Sequence, residues 1–208
     1  MRKSIFVIVL ISATCVLAQE LKPIPLPQPQ TDGGRPLMQV LKDRKTTRDF
    51  VPDKLPPQRL SNLLWAAFGV NRSDGRRTAP SAMNWQEIDI YVATAEGLFV
   101  YDAKGNRLSP VLTEDVRTAT GTQSFVATAP LDLVYVADLA KAGTSPDTEL
   151  FTAADAGFIS QNVYLFCASE GLATVVRGSI DRIALAKAMK LRPDQRIILA
   201  QTVGYPRK

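Results

Sequence analysis

Four short segments hold the residues best suited to chemistry. The first is Arg44-Lys45-Thr46-Thr47-Arg48-Asp49-Phe50, where two guanidinium groups flank a hydroxyl. Arginine offers a planar fork of donors that matches phosphate, and a threonine hydroxyl adds a compact donor. A basic helix end that complements the helix dipole and faces water is the plainer reading of the same residues. The second segment is Arg77-Thr78-Ala79-Pro80-Ser81-Ala82-Met83-Asn84-Trp85-Gln86. Its small residues admit close backbone approach, and Asn84 can both donate and accept, as a uracil-like ring edge requires. An ordinary ordered loop also uses Asn and Ser. The third runs from Asn162 to Gly178, through Gly171-Leu172 and Val175-Val176-Arg177-Gly178, where backbone amides can donate to a ring nitrogen and Gly178 lets the chain come close. The fourth is Thr202-Val203-Gly204-Tyr205-Pro206-Arg207-Lys208, a strand end with basic residues beyond it.

What the chain lacks narrows the chemistry. It contains no histidine. Ser-His-Asp and Cys-His catalysis, histidine-ligated zinc and HExxH proteolysis are therefore excluded. There is no CxxC pair, no P-loop and no Rossmann glycine fingerprint. A protein without the usual acid–base residue often borrows its reactivity from a cofactor.

The elements that must position these segments follow from periodicity. Pro36 to Lys45 reads as a short helix with Leu37, Val40 and Leu41 on one side. Pro57 to Phe68 is a second, with Leu60, Leu63, Leu64 and Ala67 on one stripe and Arg59 on its solvated side. Ile88 to Val92, Leu98 to Tyr101, Leu131 to Ala137 and Ile197 to Val203 read as strands, and Glu114 to Gly121 as a helix. The longest helix spans Thr148 to Glu170 and is closed by Gly171. It is apolar nearly all round, which predicts burial on several sides, by core or by a second subunit. Ser179 is expected to cap a helix from Ile180 to Met189. Strands and helices do not alternate strictly, so the fold class is α+β.

In this order and spacing the four segments resemble the nitroreductase family, over about Leu37 to Lys208. Arg44 to Phe50 matches an opening RxSxRxF pattern with Thr46 in place of serine. Pro80 to Gln86 resembles the family's PSxxNxQ loop. Asn162-Val163-Tyr164-Leu165 with Gly171-Leu172 resembles its NxxLxAxxxGLG region, and Gly204-Tyr205-Pro206 its closing GYP. Within the family the chain looks closest to the branch that includes the azoline dehydrogenases of peptide maturation. The resemblance implies a mostly antiparallel sheet flanked by helices, an intertwined homodimer, and FMN bound at the subunit interface. It places Arg44 and Thr46 on the flavin phosphate, Lys45 against the flavin, and Arg48 near the phosphate or pyrimidine edge. Ser81 and Asn84 would meet the ring from the partner side, and Arg177 and Gly178 would bring a backbone amide to flavin N5. Relatives carry further basic phosphate ligands beyond the GYP, and Arg207 would take that role here. The implied activity is ping-pong electron transfer through the flavin between a small-molecule donor and an acceptor. A flavin-binding module without turnover, or an interaction protein that keeps only the fold and dimer, are the other readings.

The remaining sequence concerns location. Residues 1–18 read as a secretory signal peptide: Arg2 and Lys3, an apolar run from Ile5, then Val16-Leu17-Ala18. The run is shorter than the ~20 residues of a spanning helix. An exported, periplasmic or extracellular protein is expected, without stable membrane insertion. Residues 19–35 read as a Pro-rich linker, extended, not covered by a sheet and free of chemistry, with wrapping over the domain surface as the other reading. It would precede one domain, 36–208. The net charge of +5 falls to +3 without Arg2 and Lys3, too mild and scattered to argue for nucleic acid. Without Cys15, Cys167 stands alone in an apolar stretch and reads as a buried, inert thiol.

Overall fold

The computed structural model describes residues 22–207, so the proposed signal peptide lies outside the described residues. The arm opens with β1 (Ile24–Pro25) and leads to α1 (Leu37–Asp43), β2 (Phe50–Val51) and α2 (Pro57–Phe68). Then come β3 (Ile88–Thr94), β4 (Gly97–Asp102), β5 (Arg107–Leu112) and β6 (Leu131–Asp138). The chain ends with α3 (Thr148–Glu170), β7 (Ala173–Arg177), α4 (Arg182–Ala188) and β8 (Gln195–Pro206). The strands form one eight-stranded sheet in the order β1-β5-β4-β3-β6-β8-β2, with β7 also on β8, and every pairing is antiparallel. The architecture is α+β, as expected.

Side-chain alternation explains how the sheet is covered. Ile88, Ile90 and Val92 of β3 and Leu131, Leu133, Tyr135 and Ala137 of β6 point to one face, where they pack with α2 and α3. Tyr91, Ala93, Val134 and Val136 point to the other, with Ile180, Leu185 and Met189 around α4. β6 is consequently buried along its whole length and reads as a near-continuous apolar run. α2 buries Leu63 and Leu64 completely, so truncating either to Ala should cost about 2–5 kcal/mol.

Several expectations need correction. Glu114 to Gly121 contains only a 3-10 turn at Arg117–Ala119. Asp115 takes both the amide and the guanidinium of Arg117, and Thr120 and Gly121 are pulled against Arg177. A Cβ on Gly121 would lie 1.9 Å from Arg177 Nη1. α4 is capped by Asp181, which accepts from the Ala184 amide, rather than by Ser179. β5 was hidden by Pro110; among the described residues β1 pairs only with Arg107 and Leu108, so Pro110 has no strand on that side and is tolerated. The N-terminal arm is not outside the sheet, since Ile24 and Pro25 pair with β5 and Leu26 is buried. Ser61 donates to Pro27 O at 2.5 Å, and Gln30 N–H donates to Asn62 Oδ1 at 2.9 Å, so the arm is stitched across α2. Arg59 is not simply solvated either: its guanidinium lies 5.7 Å from the Tyr205 ring centroid and donates to the Tyr205 hydroxyl at 3.2 Å. Cys167 is buried, and burial raises its thiol well above the ordinary range, in keeping with an inert role.

Candidate functional site

α1 ends at Arg44, whose amide closes the helix on Val40 O at 2.8 Å. From there the chain runs extended along β7, where Thr47 N–H donates to Thr174 O at 3.0 Å. Tyr164, one face inward on α3, is the hub of this junction. Its ring lies beneath the Arg44 guanidinium, 5.2 Å from centroid to Cζ. Its hydroxyl accepts from Val176 N–H at 3.0 Å and is bonded to Thr46 Oγ1 at 3.0 Å. Helix, loop and strand are thereby tied through one phenol. The cation–π contact holds Arg44 without consuming its donors.

Beside this junction opens a cavity of about 640 Å³, in the range of small-molecule sites. Arg44, Lys45, Thr47, Tyr164, Thr174 and Arg207 are among its lining residues. Arg207 arrives from the other end of the chain because β8 pairs with β2, placing Val51 opposite Tyr205. Its Nε donates to Asp49 Oδ1 at 3.0 Å and its Nη2 to Phe50 O at 3.3 Å. Lys42 joins the same wall, and the one acidic residue there, Asp43, is paired with Arg35 at 2.5 Å. The wall is therefore cationic.

Not every predicted residue reaches it. Thr46 is exposed and turned to Tyr164, so Thr47 takes its place in the lining; Arg48 is exposed and outside it. The Arg177 side chain is buried in the core, where it pairs with Asp132 at 2.8 Å and donates to Thr120 O at 2.5 Å and Thr202 Oγ1 at 3.1 Å. Only its backbone is left for a ligand. A Cβ on Gly178 would meet nothing nearer than Leu199 at 4.0 Å, so this position borders open space. Ser81 and Asn84 lie outside the cavity in a separate, strained turn. Met83, Asn84 and Gln86 have φ of 49°, 56° and 50°, unusual for non-glycine residues. The turn is held by Gln86 N–H donating to Ser81 Oγ at 3.0 Å and by Gln86 Nε2 donating to Asn84 Oδ1 at 3.1 Å. Below it, Ala82 N–H donates to Asp155 Oδ2 at 2.9 Å.

The residues missed by sequence reasoning are Tyr164, Asp155 and Glu87. Tyr164 stood inside a quoted motif, but an aromatic on an apolar helix reads as core. The acidic pair Glu87 and Asp155 becomes visible only when α3 folds across the start of β3.

The domain is α+β, with a tyrosine-backed cavity lined largely by basic side chains beside its antiparallel sheet. The chain belongs to the nitroreductase family, whose profile, described as the nitroreductase family, matches residues 41–205, and it has the nitroreductase fold. A protein of Methanocaldococcus jannaschii assigned as a nitroreductase is 29% identical over 168 residues, 75% of this chain and 85% of that one. A Ralstonia eutropha JMP134 structure of the same assignment is 47% identical, with a TM-score of 0.86 over 89% of this chain and 90% of that one. A Desulfovibrio desulfuricans structure, of a protein so assigned and in complex with FMN, shares the fold at 20% identity and a TM-score of 0.63, over 85% of this chain and 89% of that one. Family membership places the protein among the oxidoreductases.

Proposed function

We propose that the protein is an exported, homodimeric FMN-dependent oxidoreductase that exchanges electrons with small molecules in two successive half-reactions. The observation that carries this reading is the convergence of Arg44, Lys45 and Arg207 on one cavity of about 640 Å³. These residues fit a flavin phosphate: the Arg44 guanidinium and the Lys45 ammonium, with Asp43 already paired to Arg35, and beside them Arg207, whose remaining donors lie past its pairing with Asp49. FMN, when bound, would supply the two-electron chemistry for which the histidine-free chain has no obvious group of its own. Arg44 and Arg207 hold the phosphate, Lys45 lies toward the ring, and Thr46 acts through Tyr164 by fixing the loop. Arg48 supplies positive charge at the rim. The backbone at Arg177 and Gly178 offers an amide beside open space. Ser81 and Asn84 serve the site of the partner subunit, which explains why their turn lies apart from the cavity of its own chain.

Dimerisation is supported by apolar side chains that remain uncovered. Leu37, Met38 and Leu41 on α1, Leu150 and Phe158 on α3, and Met83 on the strained turn are all exposed. These are side chains that a subunit interface running over α1, α3 and the turn would cover. Export rests on residues 1–18, and the described residues hold no helix long and apolar enough to cross a membrane. Free NAD(P)H is scarce outside the cytoplasm, so the candidate electron donors of an exported protein are a quinol, a protein, or the substrate itself as in the azoline-dehydrogenase-like branch. The deciding experiment is an absorbance spectrum of the purified protein after incubation with FMN and gel filtration. Retained flavin, bleached by at least one reductant and reoxidised by a small acceptor, is expected. A protein that takes up no FMN would overturn the proposal.

A further inference from the structure

Glu87 follows the strained turn directly and leads into β3. It is fully enclosed, and neither of its carboxyl oxygens finds a hydrogen-bonding partner. Its side chain meets the carboxyl of Asp155, which is itself buried on α3. Asp155 in turn receives the Ala82 amide at 2.9 Å, at the opening of the turn. Among the described residues, the charged groups that bear on Glu87 are Asp155 from α3 and Lys141 from the segment after β6. Lys141 is already held by Asp89 at 2.6 Å and lies 3.8 Å from Asp138. Two buried carboxylates in contact cannot both ionise cheaply. One proton between them turns the repulsion into an O–H···O bond. Asp155 already accepts from a backbone amide, whereas the Glu87 oxygens accept from nothing, so the proton sits on Glu87.

We propose that Glu87 is a positioning residue for the Ala82–Asn84 turn: protonated, it donates to Asp155 and clamps the turn in its left-handed conformation, and ionised, it repels Asp155 and releases the turn. Burial, joined by the Asp155 charge, pushes the Glu87 carboxyl up to about 7, against the pull of Lys141. The release therefore falls near neutrality. No imidazole can supply that midpoint, because the chain has no histidine. The clamp stands on the contacts above; its effect on flavin rests on the reading of Ser81 and Asn84 as ligands of the partner's site.

Trp85 ends the turn and packs edge-on against Phe151, 6.0 Å between centroids, so its emission reports the turn. With Trp65→Phe as background, Trp85 is the sole tryptophan. Its emission should titrate with a midpoint near pH 7. In Glu87→Gln the amide donates at every pH, so the signal should stay at its acid value from pH 5 to 9. In Glu87→Ala it should stay at its alkaline value. Hydrogen exchange of the peptide covering 80–86, corrected for intrinsic rates, gives the same readout without the Trp65 substitution. A midpoint unchanged in Glu87→Gln, or a parent signal flat from pH 5 to 9, would overturn the clamp. FMN affinity should fall about tenfold from pH 6 to 9 in the parent and stay level in Glu87→Gln. Titration of Trp85 with no change in FMN affinity upholds the clamp and overturns only the assignment of the turn to the flavin.

Discussion

If the cavity holds flavin as proposed, Arg44 and Tyr164 are the single residues on which its affinity depends most directly. A hydrogen bond to a charged group contributes about 1.5–3 kcal/mol net, and each 1.4 kcal/mol is about tenfold in affinity. Arg44→Ala should therefore weaken FMN roughly 10- to 100-fold. Arg107→Ala is the matched control, since Arg107 is exposed on β5, several strands away from β8 in the sheet, and should stay within about threefold. Flavin fluorescence titration compares them; equal affinities would place the phosphate elsewhere. Tyr164→Phe keeps the ring beneath Arg44 but removes the bonds to Thr46 and Val176. A neutral hydrogen bond is worth about 0.5–1.5 kcal/mol, so a loss of roughly 3- to 10-fold is expected in the same titration. Arg44 and Arg207 are singled out only through the family resemblance, since a basic helix end and a basic tail read by themselves as solvated. Arg177 could not be judged, because nothing near it in sequence announces Asp132.

At the scale of elements, buried charge decides where the sheet is brittle. Arg177 on β7 and Asp132 on β6 both flank β8 and meet across it, with Thr202 between them. Removing one partner strands the other, which typically costs about 3–5 kcal/mol. Arg177→Met should lose that much in chemical denaturation, and Arg177→Met with Asp132→Leu should recover most of it. A single variant as stable as the parent would show the pair to be dispensable. Glu87 ties β3 to α3 with a definite pH signature. Its folded value of about 7 exceeds the ordinary 4.5, so the folded chain keeps a proton that the unfolded chain gives up. Its contribution is most favourable below pH 4.5 and declines as pH rises through about 7. Asp132, pushed by burial up to about 6 from 3.8 despite Arg177, adds a decline in the same direction over a more acid window. Glu87→Gln should melt at a higher temperature than the parent at pH 8, by about 2–4 °C per kcal/mol relieved, with the gap closing near pH 4.5. A gap independent of pH would refute the assignment.

For the whole molecule, the exposed apolar residues of α1 and α3 predict the assembly. Light scattering of the purified chain at micromolar concentration should give about twice the monomer mass. Leu41→Glu combined with Phe158→Glu, both placed on uncovered apolar surface, should shift it toward monomer and release FMN. An FMN-binding monomer would refute the interface-built site. Protein isolated from its native host should begin at Gln19, and an intact mass that still includes residues 1–18 in a cytoplasmic fraction would end the export proposal.

Local signals were enough for the α+β class, for α3 from Thr148 to Glu170 and its stop at Gly171, and for the clustering of basic donors from Arg44 to Arg48. Each is encoded within a few neighbouring residues, by periodicity, by a left-handed glycine or by clustered donors. β5 and the failed helix near Glu114 were not legible, because β1 stops short of Pro110 and a distant guanidinium claims the backbone at Thr120. The clamp was beyond sequence reading for the same reason. A glutamate after a loop looks solvated until α3 brings Asp155 over it, and long-range packing alone decides which carboxylates must share a proton.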